Sequence, residues 1–470
     1  MIRTTSPVRR SILSRTLLGS ALALGLAAGA ATVPAHAAPK QPAAPKLNLS
    51  KPFQAVAGTT QKAIDGAKGK AEVTAAAAKV QAAENAVRAA TNTAGRTAAR
   101  AQKDAAVAEL GATLTAEKAQ IDQLFAAVSN ADDRFVAGQL AVQLGGLAQD
   151  PGIQRRGLSA MIESGKVPAA DVPKYQFFLG SMAYDQKDFA AARTALGAAV
   201  QGGYKENNIE ALLAEAYIAD NQAAQGLTVL RDAIEARKAS GTPAPESWYR
   251  RGLGAAYNGR LLDQASGFSM ALVRDYPTTS NWGGAITVLR EIASYPSQET
   301  LDLMRLMART NSFAEERDYI EYIQAADARR LPGEVMNVIN AGTAAGKLRA
   351  GDVFVTEAKG IASARVAADK ASLPGLERDA RAANATGASA AAAADAFLSY
   401  GESAKAIDLY KIAVAKPGID LNRAMTRLGI AQVDAGDYAG AQATFAKVEG
   451  PRKALAQLWT VYAQQKAAGR

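Results

Sequence analysis

Residues 428–448 read LGIAQVDAGDYAGAQATFAKV, and this stretch decides the fold of the chain. A small residue, Gly429, is followed twelve positions later by a second small residue, Ala441, and four positions beyond that by Phe445. Residues at this spacing lie on one face of a helix, and Gly436 between the two small positions is typical of a helix end. The stretch therefore predicts two antiparallel helices that cross so closely that only Gly or Ala fits.

The same spacing recurs earlier in the chain. Gly180 is followed twelve positions later by Ala192, and Ala214 is followed twelve positions later by Gly226. Gly180 and Ala214 are 34 residues apart, a period that is typical of helix-pair repeats. Because one helix pair cannot bury its apolar face alone, the repetition predicts a stack of neighbouring pairs.

This pattern resembles the tetratricopeptide repeat family, whose motif runs Trp-x-x-Leu-Gly-x-x-Tyr, then Ala, an aromatic residue, Ala and Pro. The matching residues are Leu428, Gly429, Tyr438, Ala441 and Phe445 in one unit, Leu253, Gly254, Tyr257, Ala265 and Pro277 in a second, and Ala406, Tyr410, Ala413 and Pro417 in a third. The stretches between these units are degenerate. The resemblance implies an all-α fold, a right-handed superhelix of stacked antiparallel helix pairs, and a function in binding proteins or peptides.

Changes in composition predict six segments. Residues 1–37 combine a basic head, an apolar run and the motif Ala35-His36-Ala37, a pattern that predicts a signal peptide cleaved after Ala37. The other segments are a Pro/Ala-rich linker at 38–54, an Ala/Lys-rich helical arm at 55–130, helical repeats with the clearer units at 131–280, degenerate helical repeats at 281–390, and C-terminal units with a capping helix at 391–470. We expect the arm to be weakly held to the repeats, since its large apolar residues are few.

The signal peptide predicts an exported bacterial protein of the periplasm or the extracellular space. Arg9-Arg10 resembles part of a twin-arginine signal, so ordinary secretion and twin-arginine export both stay open. Beyond residue 37 no stretch is apolar over the ~20 residues that a membrane-spanning helix needs, and we expect no integral membrane span.

The composition excludes most catalytic chemistry. The chain has no cysteine, and its only histidine, His36, is removed with the signal peptide. Cys nucleophiles, Ser-His-Asp triads and His-based zinc sites are therefore excluded from the mature chain. We expect no catalytic residue, no cofactor and no metal site. Gly401-Glu402-Ser403 is the nearest match to the catalytic glutamate of lytic transglycosylases, but it lies in a predicted turn; a carboxylate-only hydrolase is the weaker alternative.

In the resembling family the first helix of each pair lines the inner face of the superhelix. The candidate partner-binding residues at such positions are Tyr184, Asp185, Glu215, Arg251, Asn258 and Asp434. A further candidate is the cluster Trp248-Tyr249-Arg250-Arg251, which could hold an acidic or aromatic ligand by cation–π and bidentate contacts.

Two classes of partner fit these observations. The first is a protein or peptide in the periplasm, bound by a non-enzymatic scaffold. The alternative is an anionic envelope polymer, lipopolysaccharide or exported polysaccharide, because residues 38–130 hold 12 basic and 7 acidic residues. Nucleic acid is not expected as a partner.

Overall fold

The computed structural model describes residues 47–349 and 351–469. Within these ranges the chain forms α-helices and one short 3₁₀ turn, without a β-strand. The predicted signal peptide and residues 38–46 of the predicted linker lie outside the described residues. The chain divides into two compact units, one ending at Val229 and the other beginning at Leu230.

The helices of the N-terminal unit are 11 to 21 residues long. They are α1 (Lys51–Lys68), α2 (Ala71–Ala89), α3 (Thr93–Thr113), α4 (Thr115–Ala126), α5 (Ala131–Leu147), α6 (Pro151–Glu163), α7 (Val172–Asp185), α8 (Phe189–Gln201), α9 (Ile209–Ala219) and α10 (Ala223–Ala239), within which the unit ends.

The C-terminal unit continues in the same way. Its helices are the rest of α10, α11 (Glu246–Asn258), α12 (Leu262–Asp275), α13 (Thr279–Ala293), α14 (Ser297–Arg309), α15 (Glu316–Ala326), α16 (Pro332–Ala344), α17 (Val353–Arg381), α18 (Gly387–Ser399), α19 (Ser403–Val414), α20 (Leu421–Asp434), α21 (Tyr438–Phe445) and α22 (Lys453–Ala467), with a 3₁₀ turn at Gly450–Arg452.

Local sequence explains where many of these helices begin and end. Side chains of Asn130, Asp188 and Asp437 accept hydrogen bonds from backbone N–H groups in the first turns of α5, α8 and α21. Gly203 and Gly436 follow helix ends with positive φ angles of 87° and 80°, a backbone conformation that favours glycine. Successive helices within each unit pack as neighbours. The predicted all-α solenoid of stacked helix pairs is confirmed.

The close helix crossings lie at the predicted small residues. A Cβ atom added to Gly180 would lie 2.6 Å from Cγ of Leu196, and one added to Gly429 would lie 2.4 Å from Cε1 of Phe445. Each glycine therefore faces a large apolar residue sixteen positions later. The second small residue of each pattern is fully buried: Ala192 and Ala441.

The register predicted for the repeat at residues 253–277 was wrong by two positions. A Cβ atom on Gly252 would lie 2.3 Å from Cε1 of Phe268, again sixteen positions later. Gly254, the residue that the motif selected, is only half-buried. Both glycines satisfy the sequence pattern. The position of the bulky Phe268 determines which of them lies where the two helices cross.

The helical arm is also more firmly held than the sequence predicts. Phe53 and Ile64 of α1 are fully buried and share one hydrophobic cluster with Leu124 of α4 and with Leu140 and Leu144 of α5. A second cluster joins residues of α2 and α3 to Ala148, which follows α5. The expectation of a weakly attached arm was wrong, because few large apolar residues suffice when most of them are buried.

A buried carboxylate fastens the start of the arm. Asp133 in α5 is fully buried and accepts hydrogen bonds from the Ser50 backbone N–H (2.9 Å) and hydroxyl (2.7 Å). Ser129 donates to the same carboxylate from its N–H (3.1 Å) and hydroxyl (2.9 Å). Burial raises the pKa of Asp133, but these hydrogen bonds outweigh it and hold the pKa below its usual value. The helix α1 begins at Lys51, directly after this anchor and earlier than the predicted arm.

The C-terminal helices fold back onto earlier helices of their own unit. The Gln465 side chain donates to the backbone oxygen of Val273 at 2.7 Å, and the Tyr462 hydroxyl donates to that of Arg309 at 3.3 Å. The rings of Tyr462 and Trp282 also meet edge to face, with centroids 6.1 Å apart. The sequence predicted that α22 only caps the last repeat. In the structure, α22 also covers α12, α13 and α14.

We expect Phe53→Ala to destabilise the whole N-terminal unit by about 3–5 kcal/mol, because it leaves a cavity in the cluster shared with α5. Lys62→Ala, on the exposed side of the same helix, should change stability by less than about 0.5 kcal/mol. Hydrogen exchange should show faster exchange of α5 amides in Phe53→Ala. Faster exchange confined to residues 51–126 would mean that the arm folds independently.

Ala441→Leu should destabilise the C-terminal unit by about 1–3 kcal/mol or more, since Ala441 is fully buried one turn from the crossing of Gly429 and Phe445. Ala439→Leu in the same helix should stay within about 0.5 kcal/mol, because Ala439 is exposed. Urea denaturation of both variants measures the difference. Equal losses would contradict the register of α20 and α21.

Candidate functional site

Two of the predicted partner-binding residues are in the interior. Trp248 is 2% exposed, and the Arg237 guanidinium carbon lies 5.3 Å from its ring centroid. Glu215 is 7% exposed, in a helix in which residue 209 and residues 211–216 are all buried. Neither side chain is accessible to a partner, so the prediction that they form a binding surface is corrected. Periodicity could not show that α9 and α11 are covered on most sides.

Asp434 is already engaged within the protein. Arg309 in α14 donates to its carboxylate from Nε at 2.6 Å and from Nη2. Burial lowers the pKa of Arg309, but the ion pair with Asp434 outweighs it and raises that pKa above its usual value. Asp434, predicted to lie on the inner face, instead forms an ion pair that links α20 to α14.

The other predicted residues reach the surface to different degrees. Asp185, Arg250 and Asn258 are exposed, whereas Tyr184 and Arg251 are half-buried. Arg250 donates from Nε to Glu246 at 2.7 Å. Tyr184, Asp185 and Glu215 belong to the N-terminal unit and the remaining five to the C-terminal unit. The role of the exposed residues stays a prediction.

The main polar feature of the C-terminal unit is a buried carboxylate surrounded by arginines. Asp302 in α14 is fully buried. Its Oδ1 accepts from Arg305 Nη1 at 3.0 Å and from Arg427 Nε at 3.1 Å, and its Oδ2 accepts from Arg452 Nη1 at 2.7 Å. Burial alone would raise the pKa of Asp302, but the three guanidinium groups lower it to about 2. The carboxylate is therefore charged at neutral pH.

Two further carboxylates complete this network. Glu334 accepts from Arg305 at 2.7 and 2.6 Å and from the Tyr322 hydroxyl at 2.7 Å. Asp395 accepts from Arg427 Nη1 at 2.6 Å and from the Tyr410 hydroxyl at 2.5 Å. Burial and the nearby carboxylates raise the pKa of Tyr322 and of Tyr410 well above the usual value, so both hydroxyls keep their protons and act as donors.

The network links helices that are far apart in sequence. Asp302 lies in α14, Glu334 in α16, Asp395 in α18 and Arg427 in α20, and Arg452 ends the 3₁₀ turn before α22. The backbone oxygen of Asp302 also accepts from Trp459 Nε1 at 3.1 Å. Buried charges of this kind are tolerated only when paired and hydrogen-bonded, so the network fixes which helices meet.

A cavity of ≈ 320 Å³ opens beside this network. It lies between the start of α16, the helices α18 and α19, and the first turns of α20. Its charged and polar lining residues are Arg330, Asp395, Tyr410, Asp420, Arg423 and Arg427. Arg427 is 1% exposed, whereas Arg330 is exposed and Arg423 half-buried, so the arginines run from the wall of the cavity to its mouth.

The sequence contains a local indication of this ion network, which lies outside the repeat pattern. In α14 the run LDLMRLM places Asp302 and Arg305 one turn apart among leucines and methionines that are fully buried. Charges at such positions predict a buried ion pair. Their distant partners could not be named from one sequence, since no local spacing connects α14 with α20.

Described residues at 47–349 and 351–469 contain no group of three or more His, Cys, Asp and Glu side chains placed to hold a metal ion. Over the same residues, no helix is both long and apolar enough to cross a membrane. Glu402 is exposed at the start of α19, 3.4 Å from the ammonium of Lys405.

Comparison with known proteins does not identify a family for this chain. No protein-family model matches the chain, and no curated protein matches it. Among solved structures the chain is similar to the TPR2AB domain of yeast Sti1 in its pHSP90 complex, with 16% sequence identity over 64% of this chain and 96% of that chain. The TM-score of 0.22 is low. The assignment of the fold therefore depends on the helix pairs themselves.

We expect Asp302→Ala to destabilise the C-terminal unit by about 3–5 kcal/mol, because it leaves three buried guanidinium groups without their shared partner. Asp379→Ala serves as a control, since Asp379 pairs with Arg378 on the exposed surface and should cost less than about 1 kcal/mol. Chemical denaturation followed by tryptophan fluorescence measures both, since Trp459 contacts Asp302. Similar small losses would contradict a structural role for the network.

Proposed function

We propose that the chain is a non-enzymatic scaffold that is exported to the bacterial cell envelope and there binds a protein or a peptide. One observation carries the proposal. Helix α7 has the sequence VPKYQFFLGSMAYD, and its fully buried stripe consists only of Phe177, Gly180 and Ala183. Apolar and aromatic side chains beside this stripe pack against clusters of the neighbouring helices but keep part of their surface exposed; they are Tyr175, Phe178, Leu179, Met182 and Tyr184, which we call the α7 face.

The α7 face has the composition of a recognition surface. Lys174 and Asp185 are its only charged neighbours within the helix, whereas an ordinary solvent-facing helix side carries several charges. Tyr, Phe and Met are enriched in protein–protein interfaces because they supply large apolar contact area. Tyr217 and Ile218 at the end of α9 are half-buried too, but they lie at the crossing with Gly226 of α10 and belong to the packing between these two helices.

The charges of the helical arm favour this proposal over the polymer alternative. Lys70 lies 2.8 Å from Glu117 and Lys79 lies 2.5 Å from Glu109, so two of the arm's lysines face carboxylates of the arm itself. Lys118 similarly lies 2.9 Å from Asp150. Pairing of this kind reduces the positive field that an anionic polysaccharide would meet.

Site-specific photo-crosslinking in the producing organism tests the proposal. A photoreactive residue at Tyr175 or Met182 should give a discrete protein adduct. The same residue at Thr194, an exposed position of α8, should give none. Met182 also packs against the cluster of Leu158 and Met161, so Met182→Lys should abolish the adduct at Tyr175 and lower the unfolding temperature, whereas Thr194→Lys should leave both unchanged. Adducts at all three positions, or a salt-sensitive polymer smear, would overturn the proposal in favour of non-specific or polymer binding.

The exported location is supported by the sequence of residues 1–37. Cleavage after Ala37 places Ala38 at the mature N-terminus, because Ala35 and Ala37 are the small residues that signal peptidase requires. N-terminal sequencing of protein from the periplasmic and extracellular fractions should therefore begin at Ala38. Protein found only in the cytoplasm with its first 37 residues retained would contradict export.

A further inference from the structure

The cavity beside the Asp302 network contains more positive charge than its carboxylates neutralise. Among the described ion pairs none involves Arg330 or Arg423, although both line the cavity. The Arg330 guanidinium donates only to the neutral amide oxygen of Gln298, at 2.6 Å. Arg423 donates from its backbone N–H to Asp420, and the described residues offer its guanidinium no hydrogen-bond partner. Two arginines thus reach one cavity without a carboxylate of their own.

The acidic residues of the cavity are engaged elsewhere. Asp395 is held by Arg427 and by the Tyr410 hydroxyl. Asp420 accepts from the Arg423 backbone N–H at 2.9 Å and so caps the first turn of α20. Burial and the positive charges of Arg427 and its neighbours lower the pKa of Arg330, which agrees with an excess of positive charge at this place.

The remaining wall of the cavity is apolar and made mostly of small side chains. Ala391 of α18, Ala424 of α20 and Ile419 before α20 line it. A volume of ≈ 320 Å³ is more than a bare inorganic anion needs. The site therefore combines two guanidinium groups that lack a carboxylate partner with room for a compact apolar group.

We propose that this cavity, the arginine cavity, binds a small oxyanion, a carboxylate or a phosphate, that is attached to a compact apolar body. Arg423 and Arg330 donate to the oxygen atoms, since guanidinium groups match the geometry of both kinds of oxyanion. The alanine wall receives the apolar body. Arg427 is held within the network and contributes positive charge from the back of the cavity.

Isothermal titration of the full chain with butyrate, succinate, phenyl phosphate and inorganic phosphate tests the proposal. We expect one site per chain for at least one of the organic anions. Arg423→Gln and Arg330→Gln should each weaken that binding by about 10-fold or more, because each removes charge-assisted hydrogen bonds. Arg329→Gln is the matched control, since Arg329 is the exposed neighbour of Arg330, does not line the cavity and carries the same charge.

A second variant separates the shape of the cavity from its charge. Ala391→Leu adds apolar bulk to the wall at constant charge and should also weaken binding about 10-fold, with unchanged circular dichroism. Preference for phenyl phosphate over butyrate and succinate would identify a phosphate ligand, and the reverse preference a carboxylate. Absence of saturable binding at millimolar concentrations, or equal weakening by Arg329→Gln, would overturn the proposal.

Discussion

The Asp302 carboxylate is the constraint on which the C-terminal unit depends. An unpaired charge in the interior would be prohibitively unfavourable, so the carboxylate can be buried only where Arg305, Arg427 and Arg452 reach it together. Apolar contacts between helix pairs are less selective, because many registers bury similar area. The ion network distinguishes the native arrangement from these, and the helices that carry its members are placed accordingly.

The same network gives the C-terminal unit properties that a plain stack of repeats lacks. In a stack, each pair contacts only its neighbours, and the first helices leave an open inner surface. Here α20 and α22 both contact α14, and Asp434 and Trp459 are used for contacts within the unit. We therefore expect ligand binding at the arginine cavity, where the buried charges come near solvent. Partner binding is expected on surfaces such as the α7 face of the N-terminal unit.

Sequence reasoning succeeded where the physical cause is local. The Gly429 and Gly180 crossings follow from spacing along single helix pairs, and the all-α fold follows from their repetition. It failed where the cause is long-range. Gly252 rather than Gly254 lies at a helix crossing, because Phe268 packs against that position. The start of α1 is held by hydrogen bonds to Asp133, which lies more than eighty residues later in the sequence. The arginine cavity has no local signature, since Arg330 and Arg423 come from the starts of two separate helices.

The long-range contacts of the C-terminal unit also affect the order in which it folds. Its decisive contacts join residues that are 125 to 192 positions apart, as between Arg427 and Asp302 or Gln465 and Val273. Long loops must close before such contacts form, so they appear late in folding. During synthesis α14 emerges with an acidic group that has no distant partners until α20 and α22 follow it. The unit therefore completes its fold only after its last helix has been made.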